Sequence, residues 1–107
     1  MTATFKVSEA DFTDMVIQYA KLQGWRVCHF RPARTENGWR TALQGDPGWF
    51  DIMAGRMDRL ILAELKAEGR KQDSAQIDWW NAIAGVQCVE LYCWRPSDWS
   101  AIEEILK

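Results

Sequence analysis

At 107 residues the chain has material for one domain and too little for two hydrophobic cores. With 48% hydrophobic and 26% charged residues it is neither disordered nor low-complexity, and its apolar runs fall well short of the ~20 residues a membrane span requires. Thirteen Lys and Arg against fifteen Asp and Glu give a net charge of −2, which argues against a nucleic-acid binder that works by bulk positive charge.

The opening residues, Met1-Thr2-Ala3-Thr4-Phe5-Lys6, lack the basic and then apolar stretch of a signal peptide, so a cytoplasmic location is expected. Ser8-Glu9-Ala10-Asp11 opens a helical pattern over about residues 9–22. Phe12, Met15, Val16, Tyr19, Ala20 and Leu22 recur along it at three- and four-residue spacing, and Gly24 stops it. Residues 25–30 read as a strand. From Arg31-Pro32 follow about 18 residues with little periodicity, containing Asn37-Gly38 and Gly45-Asp46-Pro47-Gly48, which read as a long loop. Residues 50–55 and 59–66 are two apolar strands around Met57-Asp58, close enough to form an antiparallel hairpin.

After a charged connector, Asp73 or Ser74 caps a helix reaching about Ala84, with Ile77, Trp80 and Ala84 on one face. A strand over residues 86–94 follows, and then a last helix from Pro96-Ser97 with an apolar stripe of Trp99, Ile102, Ile105 and Leu106. The order is helix, three strands, helix, strand, helix, which predicts a single α/β domain over 1–107. Its central mixed sheet of about four strands is flanked by helices. Trp80, Trp94 and Trp99 are expected in the core, and Trp49 and Trp39 are expected to pack the long loop onto the domain or to stack on bases. Cys28, Cys88 and Cys93, without CxxC spacing, read as reduced core thiols. Cys28 and His29, adjacent on a strand, face opposite ways and do not ligate one zinc together. His29, the one histidine, reads as a partnered structural residue of its strand.

The chemistry concentrates in the hairpin. With a tight turn at Met57-Asp58, opposed residues sum to 115, which sets Asp51 across from Glu64 with Cβ atoms ~5 Å apart. Lys66 lies two residues beyond Glu64 and so on the same face. Two carboxylates at that distance repel each other unless something positive is nearby. Hard oxygen ligands suit Mg²⁺, which acidifies a bound water, and a neighbouring lysine orients that water and compensates charge on a phosphoryl oxygen. Phosphodiester hydrolysis fits this set. An exposed Glu64–Lys66 ion pair beside a structural Asp51 fits the three residues equally well.

A Gly-rich loop leading to Asp51, a hairpin, and then Glu64-Leu65-Lys66 resembles the PD-(D/E)XK nuclease superfamily. More narrowly, residues 45–51 (GDPGWFD), Ala63-Glu64-Leu65-Lys66, Gln76 with Trp79, and Trp94-Arg95-Pro96-Ser97-Asp98-Trp99 look like its VRR-NUC branch in the small stand-alone, phage-type form. Phe50 stands where the motif usually has proline. The resemblance implies a PD-(D/E)XK restriction-endonuclease-like fold. It implies Asp51, Glu64 and the Leu65 carbonyl as ligands of Mg²⁺ or Mn²⁺, with Lys66 acting on the nucleophilic water. Glu9 matches an acid that often joins the site and Gln76 a glutamine that often lies near it, although helix capping accounts for both residues as well.

The implied activity is structure-selective DNA cleavage, foremost at four-way (Holliday) junctions, in the host cytoplasm if the protein is phage-encoded. A homodimer supplies the two symmetric cuts. A flap-processing or general structure-selective nuclease, a catalytically idle DNA-binding or assembly module, and a metal-independent interaction domain stay open. Eleven of the thirteen basic residues precede position 75. Arg31, Arg34 and Arg40 on the long loop, and Arg70 and Lys71 after the hairpin, are the candidate phosphate contacts, while Arg56 and Arg59 read as ordinary solvated charges.

Overall fold

Ser8 starts the first helix as expected: its hydroxyl accepts the Asp11 N–H at 3.1 Å, and helix α1 runs Glu9–Leu22. Gly24, at φ +85°, ends it with the Gly24 N–H on Lys21 O and the Trp25 N–H on Ala20 O, both 3.0 Å. The computed structural model describes residues 7–30, 33–35, 38–40 and 43–107, with only the backbone of 33–35 and 38–40. After α1 come strands β1 (Arg26–His29), β2 (Ala33–Thr35), β3 (Gly38–Arg40), β4 (Ile52–Arg56) and β5 (Arg59–Leu65). Helix α2 (Ser74–Ile83), strand β6 (Val89–Trp94), a 3-10 turn (Pro96–Asp98) and helix α3 (Trp99–Leu106) complete the chain.

Four strands form one mixed sheet in the order β1-β4-β5-β6, antiparallel except for the parallel β5–β6 pair. The chain is thus an α/β domain with a four-stranded mixed sheet and three helices. The hairpin register is the expected one, with Arg56 opposite Arg59 and Ile52 opposite Ala63. One sheet face carries Ile52, Ala54, Ile61, Ala63, Leu65 and Trp94, and packs with Phe12, Val16 and Ala20 of α1, Ile102 and Leu106 of α3, and Trp25. Alternation along the strands produces that apolar face.

Four expectations need correction. Residues 31–48 are not a continuous loop, because β2 and β3 pair antiparallel within them, Arg34 opposite Trp39. Strands of three residues are too short to register as periodicity, and the Asn37-Gly38 dipeptide is the one local signal of the hairpin. The cysteines are free, but Cys28 and Cys88 are exposed and Cys93 half-buried, since Cys28 faces away from the packed side and Cys88 lies in the turn before β6 at φ +70°. Helix α2 has no buried residue: Ile77 is exposed, and Trp80 is half-buried against Phe50.

Arg56 and Arg59 are not solvated charges. Arg56 donates to the carbonyls of Gln23, Leu106 and Lys107 at 2.7–3.1 Å, and Arg59 to the Glu90 carboxylate and Ile105 O. Both guanidinium groups sit over the Trp25 ring, at 4.5 and 4.9 Å from its centroid. They fasten the hairpin tip to the ends of α1 and α3.

Candidate active site

The approach to Asp51 is set by Gly48. At φ +95° it occupies backbone space that L side chains rarely adopt, and a Cβ there would lie 2.5 Å from the Ala75 carbonyl carbon. The loop therefore lies directly on the first turn of α2. Trp49 packs edge-on against both Phe50 and Trp79, and the Trp79 indole donates to Asp46 O at 3.2 Å. Packing is thus the role of Trp49, and the Trp39 side chain lies outside the described residues.

Asp51 is held from three sides. Its N–H donates to Ala63 O at 3.0 Å, its carbonyl accepts the Phe30 N–H at 2.8 Å, and its Oδ2 accepts the Leu65 N–H at 2.7 Å. The carboxylate thus takes the place of a ladder acceptor at the end of β5. Burial raises its pKa above the usual carboxylate value. The Leu65 N–H works against that rise, Glu9 adds to it, and Lys66 and His29 oppose it.

Glu64 is the most unusual side chain in the site. It is 0% exposed, and neither carboxylate oxygen has a hydrogen-bond partner among the described residues. Burial first, and then the Asp51 charge, push its pKa to about 7, against the smaller opposing effect of Lys66. Lys66 follows β5 with its N–H on Trp94 O at 2.9 Å, and its charge acts on both acids. The ion pairs within 4 Å among the described residues are Arg59–Glu90 and Lys107–Glu104. An exposed Glu64–Lys66 pair at a strand end is therefore not what the chain builds. Cys93, the register partner of Glu64 on β6, is a neighbour that sequence reasoning does not bring to the site.

Glu9 and His29 share with Asp51 an open pocket of about 360 Å³ at the N-terminal end of α1. The structure thus brings together Asp51, Glu64, Lys66 and Glu9, and adds His29, which the sequence alone presents as a structural strand residue. Gln76 caps helix α2. Its Oε1 accepts the Asp73 N–H and its own N–H donates to Asp73 Oδ1, both 2.9 Å, which is a complete capping box for α2. Arg70 and Lys71 are exposed on the connector after β5. Arg31 lies outside the described residues, and Arg34 and Arg40 are placed only as backbone of β2 and β3.

Among the described residues no group of three or more His, Cys, Asp and Glu side chains is arranged to hold a metal ion. The side-chain share of a metal site here is two carboxylates, which suits Mg²⁺, an ion that keeps several of its waters. The orphaned Glu64 carboxylate fits such a cation, because burying an unpaired charge costs several kcal/mol that a cation offsets. No protein-family model and no curated protein matches the chain.

Proposed function

We propose that the chain is a Mg²⁺- or Mn²⁺-dependent DNA endonuclease of the PD-(D/E)XK superfamily, similar to its VRR-NUC branch. The observation that carries this reading is the Glu64 carboxylate, fully buried, unpartnered among the described residues and close enough to Asp51 to be raised by its charge. The order of elements, the mixed sheet and the hairpin that brings the two acids together support the same assignment.

In this reading Asp51, Glu64 and the Leu65 carbonyl hold the ion, which when bound supplies Lewis acidity and a more acidic water. Asp51 is kept in place by the Leu65 N–H, so the two ligand-bearing positions move as one unit. Lys66, on the strand end beside them, orients the attacking water and compensates charge on the phosphoryl oxygens. The exposed Arg70 and Lys71, with Arg31, Arg34 and Arg40, contact flanking phosphates. The preferred substrate is branched DNA, foremost the four-way junction, and a C2 homodimer places one site at each of the two strands to be cut.

The test is incubation of labelled four-way junction, flap and linear duplex in Mg²⁺, with Lys66→Ala beside the native chain. Paired symmetric nicks in the junction, reduced about 100-fold or more by Lys66→Ala, are expected. Equal cleavage by the variant would falsify the role of Lys66, and preferential flap cleavage would move the substrate to that class. Calorimetry with Mn²⁺ checks the metal site separately: binding to the native chain and none to Asp51→Asn is the expected pair of results.

A further inference from the structure

The pocket in front of Asp51 has an unusual balance of groups. Glu9, Asp14 and Asp51 line it from the acidic side, and Thr13 adds a hydroxyl already donated to the Glu9 carbonyl at 2.8 Å. Among the described side chains lining it, His29 is the one that brings an N–H donor. The backbone places His29 beside Asp51. His29 pairs with Ile52, and the next residue, Phe30, donates its N–H to Asp51 O at 2.8 Å. Phe30, 41% exposed, stands at the same pocket with an apolar ring available to a sugar or base.

A phosphodiester entering this space meets carboxylates that repel it. An ion held by Asp51 and Glu64 offsets the repulsion on one side of the phosphate only. On the side toward α1, the N–H donor among the described side chains of the pocket is the His29 ring. Resting on the nuclease reading, we propose that His29 is a substrate-contacting residue that donates a ring N–H to a non-bridging phosphate oxygen at the cleavage site. It forms and breaks no covalent bond. It fixes the phosphate against the acid pair and strengthens its hold as negative charge gathers on those oxygens in the transition state.

The experiment compares junction cleavage by the native chain, His29→Phe and His29→Gln in saturating Mg²⁺, with Mn²⁺ calorimetry on each. Removing the donor should lower kcat/KM about 10- to 100-fold, the range for one hydrogen bond to a charged group. His29→Gln, which keeps a donor, should stay within about fivefold of native. Mn²⁺ binding should be unchanged in both variants. The inference is overturned if His29→Phe cleaves within about twofold of native, if His29→Gln is as impaired as His29→Phe, or if Mn²⁺ binding disappears with the ring. His29→Ala replaces His29→Phe in the same comparison should the larger ring prevent folding. A native chain that cleaves no DNA removes the nuclease reading itself, whereas active native protein with unaffected variants removes only the role of His29.

Discussion

A second strand glutamate, Glu90, shows what Glu64 lacks. Glu90, on β6, receives two bonds at 2.8 Å from Arg59 and one at 2.7 Å from the Tyr92 hydroxyl, and the Arg59 bond holds its pKa below the ordinary value. Glu64, on the adjacent strand β5, has neither a partner among the described residues nor exposed surface, and its pKa rises to about 7 from 4.5. The sign of the consequence follows directly. The folded chain holds the Glu64 proton up to about pH 7, while the unfolded chain releases it near pH 4.5, so folding stability falls as pH rises between those values and stays reduced above them. A shift of that size corresponds to roughly 3 kcal/mol. In chelator, Glu64→Gln should gain roughly 2–3 kcal/mol relative to the native chain on going from pH 5 to pH 8, read as a melting point that rises with respect to native. The orphaned amide costs the same at both pH values and cancels. Parallel melting curves at the two pH values would show that Glu64 is partnered in solution.

At the level of elements, the loop entering β4 depends on one glycine more than on its neighbour. Gly45 and Gly48 both have positive φ, +114° and +95°, but a Cβ on Gly45 meets open space, while one on Gly48 meets Ala75 backbone at 2.5 Å. Gly45→Ala should therefore cost only backbone strain, about 1 kcal/mol, and Gly48→Ala about 3 kcal/mol or more, because the loop must lift off α2. Urea unfolding followed by tryptophan fluorescence measures both, and the Trp49–Trp79 contact makes the second change visible in the folded baseline as well.

What a sequence can reveal at this scale follows from what is local. The caps at Ser8 and Asp73, the stop at Gly24 and the hairpin register around Met57-Asp58 each depend on neighbours within a few residues, and all are present as expected. The roles of Arg56 and Arg59 are not legible, because their acceptors include main-chain carbonyls 33 to 51 positions away, which no side-chain pattern encodes. The place of His29 beside Asp51 is not legible for a related reason: only the β1–β4 pairing brings it there. The acid pair is legible because one tight turn sets it, but the complete burial of Glu64 depends on β6 arriving parallel from the far end of the chain.

For the whole molecule, the net charge of −2 and the proposed DNA substrate are reconciled by where the charges lie. Residues 75–107 carry two basic and five acidic side chains, so the acidic excess belongs to the last third of the chain, while Arg70 and Lys71 are exposed just beyond the acid pair. Asp51 and Glu64 repel phosphate as long as they are ionised and uncompensated, and a divalent ion reverses that local sign. In chelator at pH 8 the native chain should therefore bind junction DNA weakly, and Ca²⁺, which replaces Mg²⁺ for binding, should tighten it. The combined Asp51→Asn and Glu64→Gln variant should do the opposite, binding more tightly than native in chelator and gaining little from Ca²⁺. Replacing Arg70 or Lys71 with Ala should lower the slope of log K against log salt by about one for each phosphate left without its cation. Fluorescence anisotropy over a salt series reads all three effects. Equal affinity of native protein in Ca²⁺ and in chelator would place the DNA away from the acid pair, because a phosphate held beside Asp51 and Glu64 must respond to the charge between them.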